Sequence, residues 1–174
     1  MIAAVLAPSD PVPLLPAQVS DNEGQEFTVR SLAPADRSAL EAFYAAFRPV
    51  RAAQGLPPEG PAGVARWLDR ILQAGVHLAV ERDGILHGHV MLIPTADPGV
   101  HEYAIFLHQD VRGLGLGTRL NRLAVDVARG LGARRLWLSA EPANRAAVRS
   151  YEKAGWRYIP ASLYSTELEM ERIL

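Results

Sequence analysis

With 174 residues, 49% hydrophobic and 21% charged, the chain is about one domain of an ordinary globular protein, and its apolar content excludes disorder throughout. It has no cysteine, which excludes disulfides, thiolate metal sites, iron–sulfur clusters and a cysteine nucleophile. The net charge of −1 hides an asymmetry: residues 112–157 hold ten basic and three acidic residues, so that segment is +7 and the remainder −8. A basic segment in an otherwise acidic chain points to a small-anion site, while a pI of 6.5 speaks against DNA or RNA as a partner.

Residues 1–26 are rich in Pro, Ser, Asp, Asn and Gly and read as a loosely attached arm, with residues 27–174 forming a single domain. The arm has no basic n-region, and prolines break its apolar run, so it does not read as a secretory signal; a cytoplasmic protein that meets no membrane is expected. Phe27–Leu32 alternates as a strand. Pro34 and Asp36 open a helix to about Phe47, with Leu40, Phe43, Tyr44 and Phe47 on one face. A second helix is predicted near Val64–Ala74 after the loop GLPPEGPAG. Val76–Glu81 and Ile85–Ile93 flank an Asp83-Gly84 turn, a strong hairpin signal.

Val100–His108 reads as another strand and runs directly into Arg112-Gly113-Leu114-Gly115-Leu116-Gly117-Thr118. Beyond it, Leu116, Leu120, Leu123, Val127 and Leu131 form a helical stripe that ends at Gly130 and Gly132. Arg135–Ala140 has the character of a buried strand. Asn144–Ala154 reads as a helix closed by Gly155, and Trp156–Ile159 and Leu163–Glu171 as closing strands. The element order predicts a mixed α/β sheet.

A glycine-rich turn between a strand and an amphipathic helix is where a phosphate site is built. The backbone can curl close to an anion, and the first amides of the helix have no internal partner. The dinucleotide fingerprint fails, because Thr118 stands where its third glycine is needed. The Walker loop fails because Lys153 is the only lysine. As a bare turn the loop is weak evidence.

The surrounding residues make it specific. Arg112-Gly113-Leu114-Gly115-Leu116-Gly117 resembles the Gln/Arg-x-x-Gly-x-Gly/Ala signature of the GNAT family of N-acetyltransferases. Asn144, with Tyr151 seven residues later and a Gly155-Trp156 close, is similar to the strand–Asn–helix–Tyr arrangement that follows in that family. The resemblance is tight over residues 100–160 and rests on element order over 27–99. It implies an α/β (α+β) fold: a mixed, mostly antiparallel sheet of about seven strands with about four helices on both faces.

It further implies acetyl-CoA as co-substrate and no metal. The pyrophosphate would lie on the loop, at Arg112, Gly113, Leu114, Gly115, Leu116, Gly117 and Thr118. Pantetheine would run beside Ile105, Phe106 and Leu107, where family members splay two strands apart. A backbone N–H near Leu107 would polarise the acetyl carbonyl. Asn144 resembles the residue that holds the pantetheine, and Tyr151 a residue that both contacts the cofactor and, as general acid, protonates the thiolate. For the base, His101-Glu102-Tyr103-Ala104 resembles the strand of GNAT protein lysine acetyltransferases and makes Glu102 the candidate, directly or through a water relay shared with His101. Ser139 stands where another branch of the family carries its base.

His87 and His89, two apart on a strand, are expected to share a face, but no third ligand is near in sequence, and no metal is expected. The expected function is acetyl transfer to a primary amine, on a small molecule or a protein lysine, by direct attack in a ternary complex. The alternatives are a non-catalytic CoA-binding sensor on the same fold, or a nucleotide-binding α/β protein. Dimers are frequent among such folds, and the Pro-rich arm could pack on a second copy.

Overall fold

A computed structural model describes residue 12 and residues 14–50, 56–162 and 166–174. Its elements, in chain order, are β1 (Ala17–Ser20), β2 (Glu26–Ser31), α1 (Arg37–Ala46), α2 (Pro61–Ile71), β3 (Val76–Arg82), β4 (Ile85–Pro94), β5 (Val100–Leu107), α3 (Leu116–Gly130), β6 (Arg135–Ala140), α4 (Arg145–Lys153), β7 (Arg157–Tyr158) and β8 (Leu168–Ile173). The strands form one sheet in the order β1-β2-β3-β4-β5-β6-β8-β7, and every described pairing is antiparallel except β5–β6.

The sheet is covered on both faces. Leu116, Leu120, Ala124 and Val127 of α3 and Val148 of α4 pack into the larger core against Phe27, Leu78, Leu92, Tyr103 and Leu136. On the opposite face α1 and α2 build a smaller core, with Leu40, Phe43, Tyr44, Phe47, Val64 and Leu68 on Met91 and Phe106. Strands covered on both sides need apolar residues on both, which is why Val76–Val80 is buried without alternation.

Local sequence sets the joints. Asp83 and Gly84 both take positive φ, +54° and +74°, the conformation of a two-residue turn whose twist matches its strands. Pro61 opens α2 at a position where its missing N–H costs nothing.

Two differences from the sequence reading concern the site. Residues 17–26 are not a loose arm, because Ala17–Ser20 pairs with Glu26–Val29 and gives the sheet an eighth strand. Too short to declare itself by alternation, β1 is held by its partner; residues 1–11 and 13 lie outside the described residues. Second, the β3–β4 register shifts between Val80 and Glu81, leaving His87 as an extra residue on β4. The closing strands are shorter than expected, and residues 163–165 of the second lie outside the described residues. No described helix is long and apolar enough to cross a membrane.

Candidate active site

β5 and β6 pair in parallel only from Val100↔Arg135 to Glu102↔Trp137. Beyond Glu102 they share no ladder, although β5 stays paired with β4 to Leu107↔Gly88 on its other side. The strands therefore part into a cleft of about 380 Å³ lined by Ile105, Phe106 and Leu107 of β5, Ser139 and Ala140 of β6, the glycine loop, and Asn144, Ala147 and Tyr151. The His108 N–H bonds back to the His87 carbonyl on the β4 side, at 2.8 Å. Successive backbone groups point to opposite sides of a strand, so the Leu107 N–H points toward the open edge. The Leu107 carbonyl accepts from Arg112 Nε at 2.7 Å.

Gly113 and Gly115 both sit at φ +80°, in the left-handed region, and curl the chain into the start of α3. Gly115 is the N-cap, and the Arg119 N–H makes the first bond of the helix, back to the Gly115 carbonyl. The amides of Leu116, Gly117 and Thr118 thus have no partner within the helix and present donors at its positive end. Thr118, Gly117, Gly115 and Gly113 line the cleft; the Leu116 side chain is fully buried in the core, so only its amide is available there.

The turn between β1 and β2 braces this loop. Asn22 N–H donates to the Leu114 carbonyl at 2.8 Å, and the Asn22 side chain lies where a Cβ on Gly115 would come within 2.6 Å of Oδ1. Arg119 donates to the carbonyls of Ser20 and Asp21 and to Asn22 Oδ1. Sequence reading missed Asn22, because nothing local marks a contact across more than ninety residues.

Asn144 caps α4, its Oδ1 accepting from the Ala147 N–H at 3.2 Å, which leaves its amide nitrogen as a donor. Two turns on, Tyr151 is buried and faces the same cleft. The end of α4 fixes it: Trp156 N–H bonds to the Tyr151 carbonyl, Gly155 N–H bonds to the Glu152 carbonyl, and Gly155 takes φ +84°. That six-to-one closure brings Trp156 over Tyr151, with ring centroids 5.9 Å apart, and Tyr103 stands edge-on to Tyr151 at 6.3 Å. Tyr103 Oη donates to Asn121 Oδ1 at 2.6 Å, and Asn121 Nδ2 to Ser150 Oγ, so the aromatic floor is hydrogen-bonded to both helices. Burial pushes the Tyr151 phenol well above the usual tyrosine range, so it holds its proton at neutral pH.

Arg112, Arg149 and Lys153 line the cleft. Other arginines of the basic segment hold the fold instead: Arg122 and Arg134 donate to the carbonyls of Lys153 and Pro98, and Arg135 pairs with Glu171. The Arg112 guanidinium stacks 4.7 Å from the Phe47 ring centroid. Phe47 and Pro49 also line a second cavity of about 540 Å³ between α1 and α2, so the two spaces adjoin.

Glu102 does not join these residues. It is exposed at the paired end of β5 and does not line the cleft. His87 and His89 do not share a face: the extra residue on β4 puts His87 against Phe27 of the larger core and His89 against Tyr44 of the smaller one. Among the described residues no group of three or more His, Asp or Glu side chains is gathered for a metal.

The cleft thus joins an unpaired strand edge, a glycine-lined helix N-terminus and, across the gap, a buried phenol. Residues 39–156 match the Acetyltransferase (GNAT) family, and the chain belongs to that family. It is 35% identical over 95 residues to a mycothiol acetyltransferase of Geodermatophilus obscurus, covering 52% of this chain and 30% of that protein. It is 38% identical over 96 residues to one of Sanguibacter keddieii, covering 52% and 29%. The chain thus spans about a third or less of the length of these relatives. Among solved structures, the GNAT domain of S. lividans PAT superposes with a TM-score of 0.77 at 22% identity, over 91% of this chain and 96% of that one. YncA of Salmonella typhimurium, solved with its cofactor acetyl-CoA, does so with 0.65 at 21%, over 85% and 94%. The expected fold is present: a mixed, mostly antiparallel sheet with, among the described residues, four α-helices on its two faces.

Proposed function

We propose that the chain transfers an acetyl group from acetyl-CoA to a primary amine by direct attack in a ternary complex. The observation that carries this reading is the open β5 edge ending at the free amides of α3. The amides from Gly113 to Thr118 would hold the pyrophosphate, with Arg149 and Lys153 adding charge at the rim. Pantetheine would pair with the unpaired edge of β5 at Ile105–Leu107 and meet the Asn144 amide on the other wall. The outward Leu107 N–H would receive the acetyl oxygen as charge develops on it.

Tyr151 is the donor to the departing thiolate. A thiolate in the same water-poor cleft is itself a stronger base than in solution, so a phenol raised by burial still matches it. The acceptor would approach through the α1–α2 cavity, which adjoins the cleft at Phe47. Glu102, exposed outside the cleft, could serve as base only through water.

The test is thiol release from acetyl-CoA against polyamines, aminoglycosides and lysine peptides, with acetylated product identified by mass. Turnover of at least one amine, lowered about 100-fold in Tyr151→Phe, is expected. Tight acetyl-CoA binding with no turnover of any amine would favour a non-catalytic CoA sensor.

A further inference from the structure

Apart from the cleft, the smaller core holds three polar side chains in a line. His89 on β4 is fully buried; its Nδ1 lies 2.7 Å from Tyr44 Oη and its Nε2 3.0 Å from His77 Nδ1. His77 Nε2 lies 3.0 Å from the Ile71 carbonyl and 3.1 Å from that of Ala74. A carbonyl can only accept, so His77 carries its hydrogen on Nε2 and, being neutral, accepts at Nδ1. His89 must therefore donate from Nε2 and accept at Nδ1, and Tyr44 must donate. The order of protons has one solution from end to end. Burial holds both rings neutral, and His77 adds to this effect at His89.

The geometry points to a proton relay for the amine: Tyr44 receives the proton that the incoming ammonium must lose, and the charge passes through His77 on its way to solvent. The inference rests on the acetyl-transfer reading above. The ammonium N–H bond breaks and its proton goes to Tyr44 Oη, while the Tyr44 proton moves to His89 Nδ1 and the His89 Nε2 proton to His77 Nδ1. The products are a neutral amine, a neutral Tyr44, His89 in its other tautomer, and an imidazolium at His77.

Each end suits its part. Tyr44 lines the α1–α2 cavity, its ring packs 5.7 Å from that of Phe106 beside the cleft, and its hydroxyl keeps lone pairs for a further donor. At the other end, Ile71 is the last residue of α2, and the negative end of a helix favours a cation on its terminal carbonyls. His77 keeps 8% of its surface in solvent against 0% for His89, which makes it the end of the relay nearer to water. Tyr44 is the catalytic residue of this relay, and His89 and His77 act through it.

Two measurements on the full chain test it. Nitrogen NMR of the imidazoles reads the tautomers without any acceptor. His77 and His89 are both expected as Nε2–H forms at neutral pH, with His89 switching to Nδ1–H as His77 is protonated. An Nδ1–H His89 at neutral pH, protonation of His77 without that switch, or a His77 that stays neutral until the fold is lost would each overturn the relay. The second compares Tyr44→Phe with the native chain on a primary alkylamine that turns over and on its fluorinated, weakly basic analogue. A loss of about 100-fold in kcat is expected for the protonated amine and little loss for the analogue, which arrives neutral. Equal losses on both would mean that Tyr44 only packs. Failure of every amine to react would instead sink the acetyl-transfer reading, leaving the NMR result to stand by itself.

Discussion

Tyr151 shows how burial sets chemistry at a single residue. Its phenol is held between Tyr103 and Trp156, and Tyr151→Phe preserves that packing while removing the proton. A positioned acid contributes roughly 10²–10⁴-fold. Tyr151→Phe should therefore lower kcat by about 100-fold with acetyl-CoA affinity nearly unchanged, as read by steady-state kinetics and calorimetry. A parallel loss of affinity would make it a binding residue. The loop glycines separate in the same way. At Gly115 an added Cβ meets Asn22 Oδ1 at 2.6 Å and φ is +80°, whereas at Gly117 it meets Leu107 Cδ1 at an ordinary 3.5 Å. Gly115→Ala should cost about 1–3 kcal/mol, at about 2–4 °C of Tm per kcal/mol, while Gly117→Ala should melt close to the native chain. Both glycines are visible in the sequence; their difference is not, because it depends on Asn22, brought there by the pairing of β1.

At the scale of elements, Asn144 combines an observed cap with a proposed contact to pantetheine, and substitution can separate the two. As the N-cap of α4 it should cost about 1 kcal/mol when changed to alanine. Asn144→Ser keeps a capping oxygen and loses the amide donor, so it should restore Tm but not acetyl-CoA affinity; recovery of both would leave Asn144 with a capping role alone. Arg30 joins three elements, bonding Asp36 at the start of α1 and Glu81 on β3. The guanidinium holds the Asp36 carboxyl below the ordinary carboxylate range, chiefly through that hydrogen bond. Its contribution is present above the unfolded pKa of about 3.9 and is lost as pH falls through the lower folded value. Chemical denaturation of Asp36→Asn should show a flatter loss of stability on acidification than the native chain. Periodicity and caps placed α3, α4 and the Asp83-Gly84 hairpin well, since each carries its signal within its own residues. The histidines were misread for a physical reason: strict alternation puts His87 beside His89, and one bulge residue breaks that alternation. His77 became a partner of His89 only through the β3–β4 register, which no local pattern records.

For the whole molecule, the site depends on where two layers and one departing strand meet. The glycine loop and α4 come from the face of the larger core, Tyr44 and Phe47 from the other, and β5 reaches both because β6 leaves it after Glu102. The motif at residues 112–117 and the Asn144–Tyr151 spacing made the cleft legible in the sequence. The proposed acceptor side was not, since α1 and α2 carry only an apolar face that any core helix would show. Glu102 drew attention by its neighbours on the strand, yet the splay begins just past it and leaves it outside.

The most direct test of the central claim is calorimetric titration of acetyl-CoA, CoA and ATP into the native chain and into a folded Gly115→Glu, Gly117→Glu variant, whose carboxylates would stand at the start of α3. Micromolar acetyl-CoA binding to the native chain, weaker ATP binding and loss of acetyl-CoA binding in the variant are the predicted results. A folded native chain that binds neither acetyl-CoA nor CoA would contradict the account.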